Sequence, residues 1–154
     1  MLSSPQQLQT TALPCAVIRL KIPRSEIQTV MGPAFGELMA TLGAQGIAPA
    51  GPFFTHHFRM DPEVFDFEAG IVVSSPVQAS GRVLPSELPG RTVIRAVYSG
   101  GYEGLGAAWG ELMGWISAQK LQTAPDLWEC YVTGPESSSN PADWRTELNC
   151  PLAE

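Results

Sequence analysis

Glu129 stands in Leu127-Trp128-Glu129-Cys130-Tyr131-Val132, a run otherwise apolar and aromatic. Such a run reads as a strand. Its period-two alternation sets Leu127, Glu129 and Tyr131 on one face and Trp128, Cys130 and Val132 on the other. A carboxylate among aromatic side chains on an interior face is costly to bury ionised, so its pKa rises unless a cation or donors meet it. That chemistry has two uses: an anchor for a cationic ligand, or general acid–base work with Tyr131 alongside. His56 and His57 alternate to opposite faces of their own strand, so they do not form a two-histidine metal site. Matching Pro62 to Pro135 places His56 opposite Glu129 and Phe58 opposite Tyr131, so that Phe54, His56 and Phe58 face the same pocket. Tyr98, Tyr102 and Trp109 cluster around a Gly-Gly turn and the helix after it, and are candidate pocket walls. No Gly-x-Ser-x-Gly elbow, phosphate loop, Cys-x-x-Cys pair or His-Glu-x-x-His motif is present. The acidic residues Asp61, Glu63, Asp66 and Glu68 read as a solvated loop.

The elements that must position these residues occur twice. Val17-Ile18-Arg19 returns as Val93-Ile94-Arg95, Gly36-Glu37-Leu38-Met39 as Gly110-Glu111-Leu112-Met113, Ala44-Gln45 as Ala118-Gln119, and Ala48-Pro49 as Ala124-Pro125. Asp61-Pro62 returns weakly as Gly134-Pro135. Two copies are too few for a solenoid. They suit a pseudo-symmetric fold with a ligand pocket at the seam. Ala16–Ile22 alternates as a strand. A helix opens at Gly32-Pro33, with Phe35, Leu38, Met39 and Leu42 as its apolar stripe. Phe53–Met60 and Glu68–Ser75 read as further strands. The second half repeats the order: strand Thr92–Tyr98, helix Tyr102–Lys120, strands Leu127–Thr133 and Arg145–Leu152. An α+β fold follows, two strand-helix-strand-strand units (about 16–76 and 92–152, joined by a linker 77–91) forming a mostly antiparallel curved sheet with two main helices. Residues 1–12 read as a polar, partly disordered lead-in, and 13–154 as one domain. Gly32, Gly36, Ala40 and Ala44, and again Gly106, Gly110, Gly114 and Ala118, form a ridge of small residues on each helix; tight packing of a helix, a backbone or a flat ligand would account for them.

The totals narrow the class. With 44% hydrophobic and 16% charged residues over 154 positions, the chain is globular and the size of one domain. Nine Lys and Arg against fifteen Asp and Glu give a net charge of -6, with no basic stripe, so a nucleic-acid partner is not expected and neutral or cationic ligands are favoured. Cys15, Cys130 and Cys150 lack metal-ligand spacing and read as buried thiols of a reducing compartment. Met1–Thr11 has no signal-peptide pattern, and no run approaches the ~18 apolar residues of a membrane span. A soluble cytoplasmic protein without membrane partner, metal or cofactor is expected; the oligomeric state is not readable.

Against this background, Trp128-Glu129-Cys130-Tyr131-Val132-Thr133-Gly134-Pro135, followed by Trp144-Arg145-Thr146-Glu147-Leu148 and Pro151-Leu152, resembles the GyrI-like small-molecule-binding family, also called the AraC-type effector-binding domain. Gly51-Pro52-Phe53 and the Gly100-Gly101-Tyr102 turn fit the same pattern, and the resemblance covers about 16–152. It implies two strand-helix-strand-strand units and a central pocket for aromatic, lipophilic and often cationic compounds. The Glu-x-Tyr motif carries the family's pocket glutamate onto Glu129. The candidate ligand-binding set, of which the resemblance carries over Glu129, is Glu129, Tyr131, His56, Phe54, Phe58, Tyr98, Tyr102 and Trp109. Where relatives commonly have Tyr on the second strand, this chain has His56. Some stand-alone members hydrolyse cyclopropane-type electrophiles. That activity would make Glu129 and Tyr131 catalytic. A protein-interaction modulator is a third reading.

Overall fold

The computed structural model describes residues 2–60, 63–134 and 137–153. Strands β1 (Gln6–Gln9) and β2 (Leu13–Pro23) lead into helix α1 (Ile27–Gln45), then β3 (Pro49–Met60), β4 (Val64–Val73) and β5 (Val83–Leu88). The second half runs β6 (Thr92–Ser99), α2 (Leu105–Ala118), β7 (Leu127–Thr133) and β8 (Arg145–Pro151). The eight strands form one antiparallel sheet in the order β1-β6-β8-β7-β3-β4-β2-β5. Read from either edge, the sequence of element types is the same, so the repeat is a pseudo-twofold with its seam between β3 and β7. Among the described residues no helix is long and apolar enough to cross a membrane.

Alternation along the strands gives the sheet two apolar faces. On one, Ala34, Leu38 and Leu42 of α1 cover Ala16, Ile18, Phe67, Ala69 and Ile71. On the same face Ala108, Leu112 and Ile116 of α2 cover Ile94, Ala96, Leu148 and Cys150. Each triplet recurs every four residues, the spacing of a core-facing helical stripe. The other face buries Cys15, Val17, Phe54, Val72, Leu88, Val93, Trp128 and Cys130. Because α1 lies over β2, β4 and β5, and α2 over β6 and β8, the central strands β3 and β7 run between the helices. The fold therefore opens a cleft at its seam.

Several boundaries differ from the sequence expectation. Helix α1 starts at Ile27, and Pro33 is inside it. The proline forfeits one helical hydrogen bond; Ile27, Val30 and Met31, packed on the core, offset that loss. Helix α2 ends at Ala118, and Lys120 has a positive φ of 59°, where α1 has Gly46 at 67°. The presumed linker contains β5 and the presumed lead-in contains β1. Both are edge strands, β1 polar and β5 mixed, and β5 holds Pro85, which an edge tolerates. Asp66 and Glu68 lie in β4 and not in a solvated loop, whereas Asp61, Pro62 and Pro135 lie outside the described residues. The small-residue ridges are exposed on both helices, and a Cβ at Gly32, Gly36, Gly106, Gly110 or Gly114 would meet nothing within 4 Å, so no close packing requires them. The three cysteines are free and buried.

Gly70 is required by close approach within the core. A Cβ on Gly70 of β4 would lie 2.5 Å from Phe54 Cζ and 2.9 Å from the Ala16 carbonyl oxygen. Phe54 is 1% exposed and has no free volume to yield. Gly70→Ala is expected to destabilise the fold by about 1–3 kcal/mol through overpacking, read as a lower urea midpoint; an unchanged midpoint would show that β4 shifts freely.

Candidate functional site

The floor of the cleft is set by register. Thr55 of β3 pairs with Glu129 of β7, Phe53 with Tyr131, and His57 with Leu127. Across the neighbouring strands Thr55 pairs with Ala69 and Glu129 with Leu148, both members of the helix-side cores. Glu129, Thr55, His57, Phe53 and Tyr131 therefore all rise from the helix-bearing face. The walls are aromatic and half-buried. Phe35 of α1 stacks on Phe53 with centroids 4.2 Å apart and lies 6.3 Å from Tyr131. Tyr102, before α2, meets Tyr131 edge-on at 5.9 Å and Trp144 at 5.0 Å. These rings bridge the two helices above the sheet. Surface hollows of about 320 and 290 Å³ lie elsewhere, by Met113 and Lys120 and by Gln9 and Arg91.

Glu129 is 9% exposed, and burial pushes its carboxyl up to about 7. The indole of Trp109 draws it the other way, but the indole N–H does not complete a hydrogen bond by geometry, and Glu129 Oε2 has no partner. Three more buried polar atoms lack one among the described residues: Trp109 Nε1, His57 Nδ1 and Thr146 Oγ1. Thr146 pairs with Tyr131 and with Tyr98, so it too stands on this face. Glu129, His57 and Thr146 thus stand on the helix-bearing face, with the Trp109 indole acting on Glu129 from α2. Native interiors rarely leave such groups bare.

A short hydrogen-bonded chain crosses the seam. His57 Nε2 lies 3.1 Å from Thr55 Oγ1, which lies 2.8 Å from the Tyr131 hydroxyl. Burial, with lesser contributions from His56 and Arg24, pushes His57 down to about 4, so its ring is neutral. The Tyr131 phenol is pushed well above its ordinary value by burial and by Glu129.

The other expected residues divide. Trp109 points at Glu129, and Tyr102 and Tyr131 form walls. Tyr98 donates its hydroxyl to the Gly101 carbonyl at 2.8 Å and so shapes the turn before α2. Phe54, His56 and Phe58 are on the opposite face: Phe54 belongs to the second core, and His56 pairs with Trp128, not Glu129. His56 Nε2 meets Asp126 Oδ2 at 2.8 Å, and Arg91 donates to both Asp126 oxygens at 2.8 and 2.7 Å. Burial would raise Asp126, but the hydrogen bonds from His56 and Arg91 outweigh it and hold it at about 2. This cluster ties the crossover before β6 to β3 and β7. The expected placement failed by one residue. The helices repeat with an offset of 74, that of Gly36 and Gly110, which puts Thr55 on Glu129 and Phe35 on Trp109; matching the prolines gave 73. In a strand one residue is the other face. Phe35, Phe53, Thr55, His57, Trp144 and Thr146 were not singled out for the site, and the offset of 74 would have found Thr55 and Phe35.

Comparison with solved structures agrees with this architecture. The chain superposes on the EcmrR C-terminal domain with a TM-score of 0.86 at 19% identity, covering 98% of each. It spans 57% of a longer EcmrR chain seen in a complex with DNA, at 18% identity and TM-score 0.86. SAV2435 bound to tetraphenylphosphonium aligns at TM-score 0.70 and 12% identity, over 98% of this chain and 94% of that one. A Listeria innocua protein described as a hydrolase aligns at 0.64 and 12%, over 97% and 91%. Identities this low speak to fold alone. No curated protein matches in sequence. The profile of the GyrI-like small molecule binding domain matches residues 3–153, and the chain belongs to that family.

Proposed function

We propose that the cleft between α1 and α2 binds hydrophobic aromatic cations, with Glu129 as the counter-charge. The observation that carries this reading is a carboxylate buried among half-exposed aromatic rings with one oxygen lacking any partner. A bound cation would supply the missing interaction, and the rings would supply apolar area and cation–π attraction. SAV2435, with the same fold, is bound to tetraphenylphosphonium, a cation of four phenyl rings, which supports the class of ligand. With a net charge of -6, the chain alone is not proposed to hold DNA.

A specific observation favours a second reading, hydrolysis of a strained electrophile. A carboxyl held at about 7 beside a phenol is placed near the pKa a general acid or base needs at neutral pH. The test is mass spectrometry after incubation with a panel of lipophilic cations and cyclopropane-type electrophiles. Compounds retained unchanged support binding. Conversion that falls by more than about tenfold in Glu129→Gln supports hydrolysis, since positioned acid–base groups contribute about 10²–10⁴-fold. A panel neither retained nor converted would sink both readings.

A further inference from the structure

We infer that the cleft holds a second recognition point, the Tyr131 hydroxyl, which His57 compels through Thr55 to act as a hydrogen-bond donor, so that favoured ligands carry an acceptor oxygen or nitrogen beside their cationic centre. The inference rests on the cleft being the binding site. His57 and Thr55 act as positioning residues.

The direction follows from counting hydrogens. A threonine hydroxyl has one hydrogen, and Thr55 Oγ1 has two neighbours, His57 Nε2 at 3.1 Å and Tyr131 Oη at 2.8 Å. A neutral imidazole also has one N–H. Two arrangements use the Thr55 hydrogen within the chain; a third, in which Thr55 accepts from both neighbours, would leave that hydrogen bare in a residue 1% exposed and is disfavoured. In the first, His57 carries its hydrogen on Nδ1, Thr55 donates to Nε2, and Tyr131 donates to Thr55. In the second, His57 donates from Nε2 to Thr55, Thr55 donates to Tyr131, and the Tyr131 O–H is free to point elsewhere.

Two ends of the chain choose between them. At one end, Nδ1 is buried without a partner, with the ring stacked on Phe67 at 5.0 Å and edge-on to Phe65 at 5.3 Å. The first arrangement would leave an N–H donor bare in that apolar slot, and orphaned buried N–H groups are the rarer and more costly kind. At the other end, Tyr131 shares its strand face with Glu129 two residues away. The first arrangement leaves only phenolic lone pairs on the face that bears the carboxylate; the second leaves an O–H free there. Both ends favour the second. The site then offers a donor and an anionic acceptor side by side, complementary to a ligand with an acceptor next to its cation. A hydrocarbon cation leaves the donor unused.

Two cations of matched charge and shape test this: (4-acetylphenyl)triphenylphosphonium and (4-isopropylphenyl)triphenylphosphonium. Wild type should prefer the acetyl compound by about three- to tenfold, one net hydrogen bond. Tyr131→Phe, which removes the donor, should bring the ratio to about one, and His57→Phe, which lets Tyr131 donate to Thr55 instead, should lower it toward one. His57→Gln, whose amide N–H takes the place of Nε2–H, should restore it. Glu129→Gln should weaken both cations and keep the ratio. Two bound cations with a ratio of one in wild type, or a preference undiminished by Tyr131→Phe, overturn the inference while leaving the cleft as a cation site. No binding of either cation overturns the cleft reading and this inference with it. Nitrogen NMR of the ligand-free protein gives a readout without ligand: His57 should be protonated on Nε2, and a proton on Nδ1 overturns the inference.

Discussion

Glu129→Gln is expected to weaken tetraphenylphosphonium binding by about 10- to 150-fold, the loss of a charge-assisted contact worth roughly 1.5–3 kcal/mol, while a neutral tetraphenyl compound of the same shape binds almost as before. The amide keeps the volume of the carboxyl. What it removes is the charge, and charge matters here because the aromatic walls exclude water from around it. Attraction between a cation and a carboxylate at a wet surface would be worth a fraction of this. Isothermal titration of both compounds against wild type and variant measures the difference directly. Equal losses for cation and neutral compound would mean that residue 129 acts through shape, and the proposed counter-charge would have to be abandoned.

The pattern of success and failure in reading this sequence has a physical basis. Long-period features were legible: the repeat anticipated the order of elements that makes the sheet read alike from both edges, and the alternation in β7 separated Glu129 and Tyr131 from Trp128 and Cys130. The failures came from register and from edges. Register between strands is set by turns and by packing across the sheet, and a one-residue error moved Phe54, His56 and Phe58 to the wrong face. Edge strands such as Gln6–Gln9 need backbone pairing and little apolar pattern, so their residues announce nothing. Thr55 and Thr146 are ordinary strand residues by type. Their place in the site comes from being opposite Glu129 and Tyr131 and from the hydrogens they have to give, which only the assembled sheet shows.

The second large effect is a dependence on pH hidden by cancellation. Burial raises Glu129 from an ordinary 4.5 to about 7 in the folded chain. Between these values the unfolded chain ionises while the folded one keeps its proton, so the contribution of Glu129 to stability falls as pH rises and levels off above about 7. At about 1.4 kcal/mol per pH unit, the full cost is on the order of 3 kcal/mol. His57 works in the other direction over nearly the same window. Its folded value of about 4 is below the ordinary 6.5, so the unfolded chain binds the extra proton, and its contribution is lost as pH falls from 6.5 toward 4. Wild type should therefore show a shallow profile between pH 4.5 and 6.5. Glu129→Gln removes the falling leg and should gain stability with rising pH, exceeding wild type most above pH 7. His57→Phe removes the rising leg and should lose stability over that interval. Asp126, held at about 2, does its titrating below this window and does not blur it. Urea unfolding at half-unit steps of pH checks all three chains. A cation adds a further mark: it binds the ionised carboxylate, so tetraphenylphosphonium affinity should rise about tenfold per pH unit up to about 7 and then level off. Parallel stability profiles for wild type and Glu129→Gln, together with an affinity flat in pH, would show that Glu129 is ionised throughout and that the folded cleft does not desolvate it.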